Sequence, residues 1–168
     1  MNEQITATVH RKKNKSEKIF EIIMIALAAL FLVMGIAISR GFMLPCFMMA
    51  GLYFLYSANT QKDYEYILKD NILTIDIIKN HHKRSNACEI NLENMEILAP
   101  CNHEIVKKYK KGSENANILK YDYTSYDDEI PYYTMIITEN GQKIKLLLDI
   151  NDEMMDWMTR KYAQKVFQ

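Results

Sequence analysis

Tyr64–Ile77 reads YEYILKDNILTIDI, and how this stretch folds decides how the C-terminal two thirds of the chain folds. Tyr64, Tyr66 and Leu68 alternate with Glu65, Ile67 and Lys69; Asp70-Asn71 then offers a two-residue turn, and Leu73, Ile75 and Ile77 alternate again. Period-two alternation marks strands with one buried face. A two-residue loop sets Lys69 opposite Ile72, and therefore Leu68 opposite Leu73, Tyr66 opposite Ile75 and Tyr64 opposite Ile77. These six inner residues share one face, and a one-residue slip would turn all of them to water.

The same agreement between turn and pattern recurs downstream. Asn140-Gly141 accepts φ > 0 at both positions and pairs Glu139 with Gln142. Ile137 then faces Ile144, Met135 faces Leu146 and Tyr133 faces Leu148. Between the two hairpins, strands are expected near 84–92, 94–99 and 117–124. A helix closes the chain: Asn151 caps it, Asp152 and Glu153 suit its positive end, and Arg160, Lys161 and Lys165 suit the other. Met154, Met155, Met158 and Tyr162 keep helical spacing, with Trp157 beside them, as a core stripe.

Upstream the chain is different in kind. Ile19–Ile38 reads IFEIIMIALAALFLVMGIAI, with Glu21 its single charge, and Phe42–Tyr56 reads FMLPCFMMAGLYFLY, with none. Twenty helical residues at 1.5 Å each cross a hydrocarbon core of roughly 30 Å. Only Ser39, Arg40 and Gly41 separate the runs, so two spanning helices turn back on each other, since unpaired backbone groups are not tolerated in lipid. The alternatives are a cleaved signal peptide, with Ala37-Ile38-Ser39 as its cleavage site, and a buried core hairpin. The first run exceeds the 7–15 residues of a signal core, and so long an apolar stretch would swamp a small soluble domain. Glu21 is either an intramembrane carboxylate or a headgroup-level one.

Residues 1–18 carry Arg11, Lys12, Lys13, Lys15 and Lys18 against Glu3 and Glu17, whereas Arg40 alone marks the turn. Positive flanks stay cytoplasmic, so both termini are expected there. The division is a basic tail 1–18, a transmembrane hairpin 19–57 (spans 19–39 and 42–57) and a β-rich domain 60–168. Within 168 residues this leaves room for a single soluble domain. Residues 60–168 hold 15 basic and 18 acidic side chains, which gives no electrostatic case for nucleic acid. Three cysteines, Cys46, Cys88 and Cys101, form no disulfide framework.

Seven antiparallel strands followed by one helix is the order of a pleckstrin-homology-like (PH-like) barrel or sandwich, so an α+β membrane protein is expected. YEYILKDNILTIDIIKNHHKRSNACEINLENMEILAP (64–100), DYTS (122–125), ENGQKIKLLLDINDEMMDWM (139–158) and RKYAQKVF (160–167) resemble an uncharacterised family of small two-span membrane proteins of Gram-positive anaerobes with a C-terminal PH-like domain. The resemblance implies a bacterial cytoplasmic-membrane location and carries no activity or functional residues. In phosphoinositide-binding members of the wider fold the loop joining the first two strands is long and basic. Here that loop is expected to be Asp70-Asn71, which leaves the usual headgroup site in doubt.

Candidate chemistry is sparse. His81, His82 and His103 with Cys88 and Cys101 supply zinc-type ligands without a zinc spacing; Asp122, Asp127, Asp128 and Glu129 crowd together without an EF-hand loop. Ser125 and Cys101 lack a base motif, and only Gly112 and Gly141 follow the apolar runs, so no phosphate loop exists. The expectation is no enzyme, no cofactor and no metal. Two basic clusters, Lys79, Lys83 and Arg84, and Lys107, Lys108, Lys110 and Lys111, are either solvated loops or lipid-headgroup contacts. Tyr121, Tyr123 and Tyr126 are either a partner face or core. The expected function is a membrane-tethered interaction module that binds protein, another copy of itself included, with anionic-lipid or envelope-stress sensing and an unrecognised enzyme as alternatives.

Overall fold

The computed structural model describes residues 4–79, 83–109, 118–127 and 129–167. The chain opens with a strand where a basic tail is expected. β1 (Gln4–His10) pairs antiparallel with β2 (Lys62–Lys69), Gln4 opposite Lys69 and His10 opposite Asp63. Ile5 and Val9 are buried, with Ala7 packed against the same core, while Thr6, Thr8 and His10 face out. Residues 1–18, expected as a tail, therefore give the domain an edge strand. The described residues hold eight strands in two sheets, not seven. Ile5, Ala7 and Val9 do alternate with Thr6 and Thr8, but no turn or neighbouring strand stands beside them: Arg11, Lys12 and Lys13 follow at once, and the partner strand lies beyond two apolar helices.

Between β1 and β2 stands the whole apolar hairpin. α1 (Lys15–Ala37) and α2 (Met43–Thr60) are joined by a 3-10 turn, Arg40–Phe42. The Glu17 carboxylate accepts the Asn14 N–H at 2.9 Å and secures the first turn of α1. Pro45 lies in the first turn of α2, where its missing N–H costs little. At the turn the helices come so close that a Cβ on Gly35 would lie 3.0 Å from Met43 Cγ; Phe20 and Tyr56 pack 5.0 Å apart near the base. Both helices are long and apolar enough to cross a membrane. Their outer faces are bare, with Ile36, Phe47 and Phe54 each 74% exposed.

The first sheet continues through β3 (Ile72–Lys79) and β4 (Lys83–Asn91) in the order β1-β2-β3-β4. The β2–β3 register is the expected one, from Lys69 opposite Ile72 to Tyr64 opposite Ile77, with Asp70 at φ 55° in the turn. One end of this sheet, His10, Lys62 and Lys79, adjoins the base of the helical hairpin, and the Asp70-Asn71 turn is at the other.

The second sheet uses β5 (Met95–Pro100), β6 (Leu119–Asp122), β7 (Tyr133–Glu139) and β8 (Gln142–Leu148) in the order β5-β7-β8-β6. β7 and β8 pair as the Asn140-Gly141 turn requires, Ile137 opposite Ile144 and Tyr133 opposite Leu148. The sheet is not wholly antiparallel, as was expected, because β6 runs parallel to β8. The connection from β5 to β6, with the one-turn helix α3 (Glu104–Lys107) in it, is long enough to bring the chain across before β6 begins.

α4 (Asp152–Lys161) packs on the core. Asn151 Oδ1 accepts the Met154 N–H at 3.1 Å. Met154, Met155 and Met158 are buried among Leu98, Met135 and Leu146; full burial of such a side chain contributes about 1.5–3 kcal/mol. Beyond α4 the chain reaches β5, where the Leu98 N–H donates to the Lys165 carbonyl and the Phe167 N–H to the Leu98 carbonyl, both at 2.8 Å, and covers that edge.

Candidate functional site

The segment between β1 and α1 is fixed residue by residue. The Lys12 N–H donates to the Ser125 carbonyl at 2.6 Å, and its ammonium stands 2.5 Å from the Asp127 carboxylate. That ammonium, helped by the Glu129 N–H, holds the Asp127 carboxyl below the usual carboxylate range. The Arg11 guanidinium bonds Glu17 at 2.9 Å and lies 4.8 Å from the Tyr126 ring centroid. Lys13 donates to the Glu21 carboxylate and to Ser57 Oγ at 3.0 Å, so one ammonium ties α1 to α2. Of the two sequence alternatives for Glu21, this places it at the hairpin's base beside a cation.

From Ser125 a buried polar chain runs into the core. The Ser125 N–H donates to Asp149 Oδ2 at 2.7 Å, the Asp149 N–H to the Tyr66 hydroxyl at 3.3 Å, and that hydroxyl to the Tyr123 carbonyl at 2.7 Å. Burial pushes the Tyr66 phenol far above its ordinary value and Tyr123 up to about 12, the latter helped by nearby Cys88 and Tyr121. The linker is thus hydrogen-bonded to the centre of the barrel.

Beside this joint an open cleft of about 870 Å³ separates the base of α1 from the second sheet. Lys15 and Lys18 of α1 form one wall; Asp122, Ile130 and Tyr132 belong to the other. Sequence pattern missed this site because its walls lie more than a hundred residues apart.

The candidate residues fall unevenly around it. Lys79, Lys83 and Arg84 are exposed at the end of the first sheet that adjoins the hairpin, where Lys79 faces both Lys62 and Lys83. Arg84 is engaged with Glu65 at 2.8 and 3.0 Å. Lys107 and Lys108 belong to a segment that runs back along the sheet, so that Tyr109 meets Lys143 and Lys145. Lys110 and Lys111 lie outside the described residues. Tyr123 is buried edge-on against Tyr64, centroids 5.5 Å apart, and Tyr126 lies half-buried under Arg11. Tyr121 alone of the three is exposed, at 43%.

Of the zinc-type residues, His81 and His82 lie outside the described residues. His103 accepts the Ile105 N–H, and Cys88 and Cys101 are half-buried free thiols. Among the described residues no group of three or more His, Cys, Asp or Glu could hold a metal ion. Asp128 lies outside them too, while Asp122 accepts from Thr124 and Asp127 is bound to Lys12.

Comparison with curated proteins and with solved structures gives no match. A family model described as a bacterial PH-like domain, DUF6106, matches residues 2–168, so that it takes in β1 and the apolar hairpin as well as the sheets downstream. By that match over nearly the whole chain, the protein belongs to this family of bacterial PH-like domains of unknown function.

Proposed function

We propose that the chain is a two-span membrane protein whose PH-like domain is a non-enzymatic interaction module, held against the cytoplasmic face to bind a protein partner. The observation that carries this is the insertion of the hairpin between two paired strands. β1 enters α1 and β2 leaves α2, and the two strands pair from Gln4–Lys69 to His10–Asp63. Both ends of the hairpin therefore emerge on one side, beside the domain.

Bilayer insertion is supported by the bare flanks of both helices, whose continuous apolar surface far exceeds the few hundred Å² a soluble monomer exposes. Cleavage after Ser39 would remove β1 from its sheet, which argues for a retained hairpin. Arg11, Lys12, Lys13, Lys15, Lys18 and Lys62 gather at the base against Arg40 at the turn, the distribution of a cytoplasmic base. The two-point attachment leaves the Asp70-Asn71 and Asn140-Gly141 ends pointing away from the bilayer. Leu119 and Tyr121 on the edge strand β6 are exposed and offer apolar contact area to a protein, another copy of the chain included.

Crosslinking in intact cells followed by affinity capture tests this. Enrichment of a defined protein over a chain lacking residues 15–60 is expected, and a capture no different from that control would contradict it. A second function, contact with anionic lipid, is favoured by one observation: the β2–β3 register sets Lys79 opposite Lys62, next to the end of α2, which puts Lys79, Lys83 and Arg84 on the hairpin side of the sheet.

A further inference from the structure

We propose that the helical hairpin fits a thin bilayer: the Lys13–Glu21–Ser57 bridge fixes where its lipid-facing length begins, and lipids with short acyl chains are the partners that length accepts. This rests on the two-span placement proposed above, and it concerns the hydrocarbon region of the lipid.

The length is set from the base. The Lys13 ammonium donates to the Glu21 carboxylate and to Ser57 Oγ at 3.0 Å, so both helices share one polar level. A lysine beside a span ordinarily stretches its charge away from lipid. Here Lys13, which stands just before the cap of α1, reaches up the hairpin to a carboxylate two turns in. The Glu21 side chain is 13% exposed, so the charge is held at that height. Tyr53 and Tyr56, whose rings favour the interface, lie in the turn of α2 before Ser57.

Beyond the bridge, Arg40 is the single charge as far as the end of α2. Residues 22–37 of α1 and 43–56 of α2 cover that distance, about 24 Å and about 21 Å of helix at 1.5 Å per residue. Against a hydrocarbon core of roughly 30 Å, the hairpin falls short by about 6–9 Å. A span too short for its bilayer thins it or buries one of its own ends. The base resists burial. Lys12, next to the bridge, donates its N–H to the Ser125 carbonyl and Arg11 engages Glu17, so sinking the base would draw the domain in with it. The turn yields instead, because Arg40 can reach the surface along its own side chain. In a thicker bilayer the Ser39–Arg40–Gly41 turn therefore lies deeper while the domain keeps its place.

The test uses the full chain freed of Cys46, Cys88 and Cys101 and carrying Ser39→Cys. It is placed in nanodiscs of dimyristoleoyl-, dioleoyl- and dierucoyl-phosphatidylcholine, in order of increasing thickness, and its reaction with an impermeant maleimide is timed. The rate should fall roughly tenfold from the thinnest disc to the thickest, whereas Thr8→Cys on β1 should react equally in all three. Lys13→Leu with Glu21→Leu extends the apolar length down to Ile19, so it should restore Ser39→Cys labelling in the dierucoyl discs. A Ser39→Cys rate indifferent to thickness would overturn the proposal without the leucine variant. The same fall with both leucines present would overturn the bridge as the start of the length. Failure of the chain to enter discs of any thickness is a separate result and would overturn the two-span placement instead.

Discussion

His10 and Asp63 stand opposite each other across the β1–β2 ladder, His10 Nδ1 3.4 Å from Asp63 Oδ1, although the whole helical hairpin lies between them in the chain. A hairpin attached at one point would let the domain swing. Here the two covalent exits are adjacent strands of one sheet, so the orientation of the domain follows that of the hairpin.

Because β1 is part of the barrel, Ile5→Ala should destabilise the domain although it lies in a segment that resembles a tail. A loss of about 2–4 kcal/mol is expected for a buried Ile emptied to Ala, with an edge strand at the low end. Urea titration in a fixed detergent measures it, and an unchanged midpoint would show β1 to be dispensable.

Tyr66→Phe removes the hydroxyl that joins Asp149 to the Tyr123 carbonyl. With buried partners left unpaired, the cost near neutral pH should be about 1–3 kcal/mol. The Tyr66 phenol is raised in the folded state by burial, so its contribution is complete below the ordinary tyrosine value of about 10 and declines as pH rises beyond it. The gap between wild type and Tyr66→Phe should therefore narrow in alkali. A gap that widened there would contradict the buried, neutral phenol.

Glu96 accepts from Lys143 Nζ at 2.7 Å and from Thr138 Oγ1 at 2.6 Å, and these bonds hold its carboxyl below the usual range. A depressed carboxylate stabilises above its unfolded value and loses that contribution as pH falls through the folded one. Glu96→Gln should lower the melting temperature at neutral pH by a small amount, corresponding to less than about 1 kcal/mol for so exposed a pair. The difference should shrink progressively as the pH falls below the ordinary glutamate value of about 4.3. Melting curves of both proteins from pH 3 to 7 check it.

Lys13 bonds Glu21 and Ser57 at once, so the Lys13→Ala and Glu21→Ala effects on stability should fall short of additive in the double variant. A coupling of about 1 kcal/mol is expected for such a half-buried pair. Additive losses would mean that the bridge does not form.

Much of this fold is legible in local sequence, and the exceptions share a cause. The Tyr64–Ile77 and Tyr133–Leu148 hairpins can be read because turn residues and apolar alternation agree within a short stretch, and α4 because Asn151 and the methionine stripe agree likewise. β1 cannot, since what makes Gln4–His10 a strand is a partner beyond two apolar helices. β6 cannot be placed, since four residues carry no directional signal and the parallel pairing depends on where the β5–β6 connection ends. With β1 in place, the loop joining the first two strands is no longer Asp70-Asn71. It is the whole helical hairpin, so the comparison of Asp70-Asn71 with a long basic first loop no longer applies. The cleft is illegible for a similar reason: Lys15 and Tyr132 line the same cleft only because β1 places the start of α1 beside the second sheet.

Labelling of single cysteines with a membrane-impermeant maleimide, in a chain first freed of Cys46, Cys88 and Cys101, tests the shared side of β1 and the domain most directly. Thr8→Cys and Lys143→Cys should stay unlabelled in intact cells and react together once the membrane is opened, whereas Arg40→Cys at the turn should react from outside. Reaction of Thr8→Cys from outside while Lys143→Cys stays protected would put β1 and β8 on opposite sides of the bilayer, and the hairpin could not then stand between paired strands.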